Sequence, residues 1–255
     1  MGSGELMTDS TGIALIVDAL RGGETAFAED NELAASTGTR LRGMRRMIAW
    51  SDRFSAQAAE TAVRGGIRSV LFCGTGFQVA GEPPPHAAAA AAAPQARFGY
   101  PTRSQVVLTL RQLALDGDPR TAAFLASIAR PSYLLRRAGV AGLGAPLQVQ
   151  WGIGAWQLSA EDGAALAAAY GELLPRGSQL VLSAAELAAE VGALAGEKMH
   201  AHTPEVLAGW AARAGLHVVL EVPDVRAWGR DAWPESGFRR DRGAGRVSGL
   251  VAVKP

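Results

Sequence analysis

The sequence contains a single cysteine, Cys73, and has no long apolar run. One cysteine cannot form an internal disulfide or supply a zinc site built from cysteines. No apolar stretch reaches the about 20 residues that a membrane-spanning helix needs, and the first residues lack the basic and apolar segments of a signal peptide. The net charge of +1 gives no electrostatic reason to expect nucleic acid as a partner. We therefore expect a reducing, cytoplasmic setting, with no membrane, nucleic acid or metal ion as partner.

At 255 residues, the chain is long enough to build one full hydrophobic core. Residues 1–10 read as a tag or a disordered terminus. Helical spacing of apolar residues predicts a helical cap over 11–66, with helices over about 13–20 and 41–64. The third unit is a globular domain over 67–255, which forms one body with the cap.

Short apolar runs alternate with helical segments through this domain, which predicts an α/β fold with a mostly parallel sheet covered on both faces. The last two strands are expected to pair with each other after a long polar loop over 223–246. The predicted strands are 68–73, 97–100, 122–126, 147–153, 177–183, 217–222 and 250–253. The predicted helices are 86–93, 104–115, 159–174 and 203–214.

The first strand leads into a glycine turn, Gly74-Thr75-Gly76. Such a turn opens many nucleotide-binding domains, because glycine lets backbone N–H groups approach a ligand closely. The alternative is that Gly74, Thr75 and Gly76 only connect a strand to a helix.

Four stretches carry a resemblance to a known family when they are taken together and in order. They are Asp18-Ala-Leu-Arg-Gly-Gly-Glu-Thr-Ala-Phe-Ala-Glu-Asp30, Gly65-Gly-Ile-Arg-Ser-Val-Leu-Phe-Cys-Gly-Thr-Gly76, His86 with the helix through Pro94-Gln-Ala-Arg97, and Pro175-Arg-Gly-Ser-Gln-Leu-Val-Leu-Ser183. The chain resembles, from about residue 12 to 255, an actinobacterial family of S-adenosylmethionine-dependent methyltransferases long catalogued as a domain of unknown function. The resemblance implies a Rossmann-like class I methyltransferase fold with a seven-stranded sheet and an N-terminal helical cap.

The chain departs from this family where acidic residues are expected to hold the cofactor. Phe72 stands where the family has an acid before the glycine turn. Thr102 replaces the acid that the family uses on the ribose hydroxyls, and Ser127 aligns with the acid near the adenine. The cofactor-binding residues that the resemblance implies are Gly22, Gly23, Arg53, Gly74, Thr75, Gly76, Thr102 and Ser127. We expect either no cofactor or weakly bound S-adenosylmethionine.

Other residues are candidates for catalysis or substrate binding. His86 and Glu82 lie near the predicted carboxyl edge of the sheet, where a histidine could act as a general base. The plainer alternative for His86 is a structural residue at a helix start. Trp156 follows the fourth strand and is a candidate both for the catalytic set and for an apolar substrate pocket, which Tyr100 and Trp228 would also line.

Three further features have competing interpretations. Trp151 is expected to pack in the core. His200 and His202 could form a metal-binding pair, but a solvent-exposed loop is favoured because no further ligand is near in sequence. The segment 226–246 is either a mobile lid that carries Trp228 or a simple exposed loop.

The missing acids lead to three functional hypotheses. The leading one is a methyltransferase-like enzyme of natural-product biosynthesis that performs cyclisation, pericyclic closure or isomerisation on an apolar small molecule without methyl donation. The second is an active S-adenosylmethionine-dependent methyltransferase with atypical cofactor contacts. The third is a non-catalytic partner of another enzyme, and the chain could form a homodimer.

Overall fold

The computed structural model describes residues 17–18, 28, 32, 42–74, 83–186, 193–194, 197–232 and 245–255. The predictions for residues 1–10, Gly22, Gly23, the pair Thr75-Gly76 and Glu82 lie outside these ranges. Within the described residues, no helix is long and apolar enough to cross a membrane.

The helices and strands alternate as the sequence predicts. The helices are α1 Arg42–Arg64, α2 Ala87–Ala92, α3 Gln105–Ala114, α4 Pro131–Val140, α5 Ala160–Leu173, α6 Pro204–Arg213 and α7 Val225–Ala232. The strands are β1 Ser69–Phe72, β2 Arg97–Thr102, β3 Thr121–Leu125, β4 Leu147–Gln150, β5 Gln179–Ala185, β6 Ala193–Leu194, β7 Glu197–Lys198, β8 His217–Val222 and β9 Val247–Val253.

Seven of these strands form one sheet in the order β3-β2-β1-β4-β5-β9-β8. Strands β1 to β5 run parallel to one another, whereas β9 lies between β5 and β8 and is antiparallel to both. The mostly parallel seven-stranded sheet and the pairing of the last two strands are therefore confirmed. β6 and β7 form a separate two-stranded hairpin.

Alternation along the strands divides the core between the two faces of the sheet. Val70 and Phe72 of β1 pack with Phe98 and Tyr100 of β2 beneath α1 and α2. The intervening Leu71 faces the opposite side, together with residues from α4, α5 and α6. Because both faces are covered, the central strands β1, β4 and β5 are buried along almost their whole length, as is usual for parallel sheets.

Three element predictions were wrong in part. α4 was not predicted at all, although Pro131 begins it at a position where proline needs no hydrogen-bond donor. α7 occupies the first part of the predicted loop 223–246. β4 ends at Gln150 rather than at residue 153, because Gly152 adopts a φ of 50° and a 3₁₀ helix follows over Gly152–Gln157.

Candidate functional site at the carboxyl edge of the sheet

The candidate site lies where β1 and β4 end side by side. Phe72, the last residue of β1, is in register with Gln150, the last residue of β4. The strand order reverses between these two strands, since β2 and β3 lie on one side of β1 and β5 lies beyond β4. Open α/β sheets bind ligands at the carboxyl ends of the strands at such a reversal.

Gly74 brings the turn after β1 into direct contact with the turn after β4. It adopts a φ of 85°, and a Cβ at this position would lie 2.6 Å from both the Gly154 nitrogen and the Trp151 carbonyl oxygen. Only glycine fits this position without a backbone shift. The two turns therefore form one packed unit at the base of the candidate site.

Two predicted cofactor-binding residues, Thr102 and Ser127, lie at neighbouring strand ends. The backbone N–H of Ser104 donates to Thr102 Oγ1 at 3.3 Å, and the N–H of Ala129 donates to Ser127 Oγ at 3.2 Å. Both side chains are half-buried. Each hydroxyl keeps its own hydrogen for donation to a ligand, because here the oxygens act as acceptors.

The structure places Phe72 in the core rather than in the site. It is fully buried and stacks on Tyr100, with ring centroids 5.3 Å apart. Tyr100 is also buried, so its placement favours core packing over a pocket wall. No carboxylate occurs among the described residues that directly follow β1 to β4, which are 73–74, 103–104, 126–130 and 151–159.

Positive rather than negative charge accompanies these strand ends. Arg103 and Arg130 are exposed beside the ends of β2 and β3. Arg111 of α3 is buried, with its Cζ 5.5 Å from the centre of the Tyr100 ring. Burial lowers the pKa of Arg111 to about 10, so its guanidinium stays charged at neutral pH. Burial also raises the pKa of Cys73 far above its usual range, which makes this thiol a poor nucleophile.

His86 lies against the sheet beneath β2, not at the carboxyl edge where it was expected. Its ring stacks on Phe98 at 5.0 Å, Nδ1 is 2.7 Å from the Tyr100 hydroxyl, and Nε2 is 3.5 Å from Asp118 Oδ2. A carboxylate only accepts, so the contacts are satisfied when Nε2 carries the proton and Nδ1 accepts from Tyr100. Asp118 in turn accepts two hydrogen bonds from the Arg120 guanidinium, at 2.9 and 2.7 Å.

These contacts favour the structural alternative for His86. Burial lowers the pKa of His86, and the opposing effect of the Asp118 carboxylate does not outweigh it. The Arg120 guanidinium holds the pKa of the Asp118 carboxyl well below its usual range. The imidazole is therefore neutral at pH 7 and linked to groups before β3, away from the glycine turn. Its role as a general base stays a prediction.

Trp156 is fully buried beside β5. Its indole Nε1–H donates to the Ser183 carbonyl oxygen at 3.2 Å, and the Ser183 hydroxyl lies 2.7 Å from the Ser51 hydroxyl of α1. A satisfied and buried indole favours core packing over a pocket wall. Trp151 is also fully buried, as expected, with its ring 5.4 Å from Tyr170.

Buried amides connect α1 to β4 near the same edge. The Gln150 amide donates to the Ser55 carbonyl oxygen at 2.9 Å and to Gln148 Oε1 at 2.6 Å. The Gln148 amide donates to the Ala58 carbonyl oxygen at 3.1 Å and to Gln179 Oε1 at 2.7 Å. These glutamines were not singled out from the sequence, although two polar residues alternating within the apolar strand Leu147-Gln-Val-Gln150 were a usable signal.

The remaining candidates lie on other elements. Arg53 is half-buried on α1, and Trp228 of α7 is half-buried with its ring edge-on to Phe54 at 5.8 Å. The favoured exposed loop at the two histidines was wrong for His202, which is buried with Nε2 2.9 Å from the Leu158 carbonyl oxygen. In the described part of the chain, no group of three or more His, Cys, Asp or Glu residues could hold a metal ion.

The topology assigns the protein to a class. A seven-stranded sheet in this order, with one antiparallel strand inserted next to the last, is the Rossmann-like fold of class I S-adenosylmethionine-dependent methyltransferases. A family model described as S-adenosyl methyltransferase matches residues 2–208. The chain therefore belongs to the S-adenosyl methyltransferase family, as its sequence motifs indicate.

Solved structures share this fold. A candidate methyltransferase from Thermobifida fusca is 23% identical, covers 95% of this chain and 94% of its own, and superposes with a TM-score of 0.78. A DUF574 family protein from Streptomyces avermitilis is 26% identical over 95% of this chain and 97% of its own, with a TM-score of 0.74. A Leishmania major S-adenosylmethionine-dependent methyltransferase, 12% identical over 98% and 87%, shares the fold with a TM-score of 0.51. Among curated proteins, none matches the sequence significantly.

The described residues fit the family cofactor only in part. S-adenosylmethionine carries a positive sulfonium and a ribose diol, and both are best held by negative groups. Gly74 and the hydroxyls of Thr102 and Ser127 are present, but the strand ends beside them, as far as the structure describes them, carry arginines and no carboxylate. This set of residues does not fit the ordinary way of holding the cofactor.

Proposed function

We propose that this chain is a methyltransferase-family protein that acts without donating a methyl group. The observation that carries the proposal is that Phe72, Thr102 and Ser127, and no acids, stand at or just beyond the ends of β1, β2 and β3, where the family resemblance implies acidic residues. Phe72 is fully buried and stacked on Tyr100, and its side chain has no polar atom. No change in its rotamer can therefore supply a polar contact to a cofactor.

The expected loss of cofactor affinity is large. A hydrogen bond to a charged group contributes about 1.5–3 kcal/mol. The two carboxylates missing at Thr102 and Ser127 therefore remove about 3–6 kcal/mol if the contributions add, or roughly 10²–10⁴ in affinity. A cofactor that would bind at micromolar concentration then needs millimolar concentration. Donation by Thr102 and Ser127 recovers only part of this.

The substrate that we propose is an apolar small molecule, such as an intermediate of natural-product biosynthesis. The half-buried Ile128 side chain approaches Gly154 beside the junction of β1 and β4 and contributes apolar surface there. Cyclisation, pericyclic closure or isomerisation suits such a site, since catalysis can come from holding one reactive conformer. This reaction class needs no cofactor.

Calorimetric titration with S-adenosylhomocysteine tests the proposal, using Thr102→Asp as a gain-of-binding variant. The Thr102 hydroxyl accepts a hydrogen bond from the Ser104 backbone N–H. An aspartate at this position can accept the same hydrogen bond with one carboxylate oxygen and use the other to accept from a ribose hydroxyl. We expect millimolar binding by the wild type and about 10- to 100-fold tighter binding by Thr102→Asp. Thr102→Asn is the matched control, because it has the shape of aspartate without the charge and should gain much less.

A second candidate function has its own support. Membership of the S-adenosyl methyltransferase family and the tight Gly74 turn favour an active methyltransferase with atypical cofactor contacts. Micromolar binding of S-adenosylhomocysteine by the wild type, or transfer of a labelled methyl group to any acceptor, would establish this candidate and refute the proposal above.

A further inference from the structure

The amino edge of the sheet, where β1 to β5 begin, lies at the opposite end of the molecule from the candidate site. The helices α3, α4 and α5 connect successive parallel strands, so their last turns also lie at this edge. We call the surface formed by these helix ends and by the turns 65–68, 93–97, 115–120, 141–146 and 174–178 the amino-edge surface. A ligand in the candidate site leaves this surface uncovered.

The turns of the amino-edge surface carry more positive than negative charge. Their charged residues are four arginines and two aspartates, namely Arg68, Arg97, Arg120, Arg176, Asp116 and Asp118. Arg120 is paired with Asp118. Arg68, Arg97 and Arg176 are exposed, and none of them belongs to an ion pair among the described residues. Three cations are therefore exposed here without a carboxylate partner.

The helix ends and the other acids of the surface do not cancel this charge. Arg137 lies in the last turn of α4, where a cation opposes the partial negative charge of a helix C-terminus. Arg68 donates to the Val63 carbonyl oxygen at 3.2 Å, but a carbonyl group carries no net charge. The acids left on the surface are Asp116 and, near the end of α5, Glu172, so positive residues remain in excess.

Exposed apolar side chains lie on the same surface. Val140 and Leu113 are 75% and 70% exposed, more than any other large apolar residue in the described part of the chain. Leu173 is 42% exposed. Each of the three lies in the last turn of its helix, in α4, α3 and α5 respectively. Apolar residues that are exposed together mark a surface that another apolar medium covers.

Arg97 joins the parts of this surface. Its backbone N–H donates to the Arg68 carbonyl oxygen at 2.8 Å, and its guanidinium donates to the Pro119 carbonyl oxygen at 3.4 Å. A Cβ on Gly142, two residues beyond Val140, would lie 3.0 Å from Arg97 Nη1. The ends of α3 and α4 and the turns before β1, β2 and β3 are therefore contiguous.

The turn before β5 continues the same pattern. Arg176 follows Leu173 by three residues, and a Cβ on Gly177 would lie 3.6 Å from Pro146 Cβ in the turn before β4. Cationic and apolar side chains are therefore interleaved across the surface rather than separated into two patches.

We propose that the amino-edge surface binds the face of a membrane that contains anionic phospholipids. The arginines attract the lipid headgroups, and the exposed apolar side chains enter the boundary between headgroups and acyl chains. Such a contact needs no membrane-spanning segment, and it depends on the local charge rather than on the net charge of the chain. The carboxyl edge of the sheet, with the candidate site, would then face away from the membrane.

The apolar side chains favour a lipid surface over a nucleic acid. A nucleic acid backbone is bound through its phosphates by cations, and it would leave Val140, Leu113 and Leu173 exposed to water. A lipid surface uses both kinds of side chain. The proposal is independent of the reaction at the candidate site, since it concerns the opposite edge of the sheet.

Co-sedimentation with large unilamellar vesicles tests the proposal. The wild type should bind vesicles made of equal parts of phosphatidylglycerol and phosphatidylcholine but not vesicles of phosphatidylcholine alone, and its binding should fall as salt rises. Arg176→Gln should weaken the binding about fivefold, because it removes one cation from the membrane face. Val140→Ser should also weaken it, because less apolar surface enters the lipid.

Matched controls make the same changes at the carboxyl edge. Arg130→Gln, just before α4, and Val106→Ser, in the first turn of α3, alter an exposed arginine and an exposed valine at the other end of the molecule. Both should bind the anionic vesicles like the wild type. No binding of the wild type to anionic vesicles, equal binding to neutral ones, or controls as weak as Arg176→Gln and Val140→Ser would each overturn the proposal.

A nucleic acid is the alternative ligand that the experiment must separate. The fluorescence anisotropy of a labelled single-stranded oligonucleotide measures its binding to the same variants. Binding to the oligonucleotide that Arg176→Gln weakens, together with vesicle binding that Val140→Ser leaves unchanged, would refute the membrane and indicate a purely electrostatic contact.

Discussion

Removal of one oxygen atom, by the substitution Tyr100→Phe, tests whether Tyr100 and His86 belong to the core. The Tyr100 hydroxyl lies 2.7 Å from His86 Nδ1, and both residues are buried, at 4% exposure each. The substitution leaves the ring stack on Phe72 in place and removes only the hydroxyl. Any loss of stability therefore reports on the hydrogen bond and on the nitrogen left without a partner.

The expected loss is about 1–3 kcal/mol, which is the cost of leaving one buried polar group unsatisfied. In urea this should lower the unfolding midpoint by about 0.5–1 M. Tyr133→Phe is the matched control, since Tyr133 is 39% exposed on α4 and its hydroxyl can bond to water. A change within about 0.5 kcal/mol is expected for it.

Urea unfolding followed by far-ultraviolet circular dichroism at pH 7.5 measures both variants against the wild type. If Tyr100→Phe unfolds at the same urea concentration as Tyr133→Phe, the hydroxyl is solvated in the native protein. Tyr100 would then be available to line a pocket, as its sequence position suggested, and the buried contact with His86 would be refuted.

Two further predictions concern acid stability and the glycine turn. Because burial lowers the pKa of His86 from 6.5, the unfolded chain binds more protons, so stability should be full above about pH 6.5 and fall as the pH drops through the folded value. Equilibrium unfolding at pH 7.5, 6.0 and 5.0 should show this fall in stability. His86→Gln should reduce the fall to the part contributed by His202, whose pKa burial also lowers. An unchanged dependence of stability on pH in His86→Gln would contradict the buried, neutral state of His86. Gly74→Ala should destabilise the protein by more than about 2 kcal/mol in the same assay, because the added Cβ would meet the backbone of Gly154 and Trp151. Gly144→Ala is the control and should change stability little, because the space around Gly144 is open. Equal effects of the two substitutions would contradict the close approach of the two turns.

Much of the fold could be predicted because its signals are local. Apolar runs bounded by glycine or proline located the strands, and β8 has the predicted bounds, residues 217–222. α4 and α7 were missed because each is short, with 10 and 8 residues, and carries two arginines among few large apolar residues. β4 was overextended because Trp151, Gly152 and Ile153 continue the apolar run, while Gly152 turns the backbone.

The candidate site could be predicted less well because it depends on contacts between distant segments. Thr102 ends β2 and Ser127 lies two residues beyond β3, and the approximate position of a strand end is readable from sequence. The position of His86 depends on how a six-residue helix packs and on Asp118, a residue of a distant turn. Trp156 gave no sequence signal that distinguishes a core indole from a pocket indole.

The amides of Gln148 and Gln150 fix where the long helix α1 can rest. The Gln148 amide donates to the Ala58 carbonyl oxygen, and the Gln150 amide donates to the Ser55 carbonyl oxygen. The two acceptors lie about one helical turn apart on α1, and the two donors lie on alternate residues of β4, so the two sets of groups are in register. If α1 slid by a fraction of a turn, both amides would lose their hydrogen bonds to its carbonyl oxygens, and water could not replace these bonds in the buried interior. The two amides therefore hold α1 in one register along β4, so a slide of this helix is not a means of opening the carboxyl edge of the sheet to a ligand.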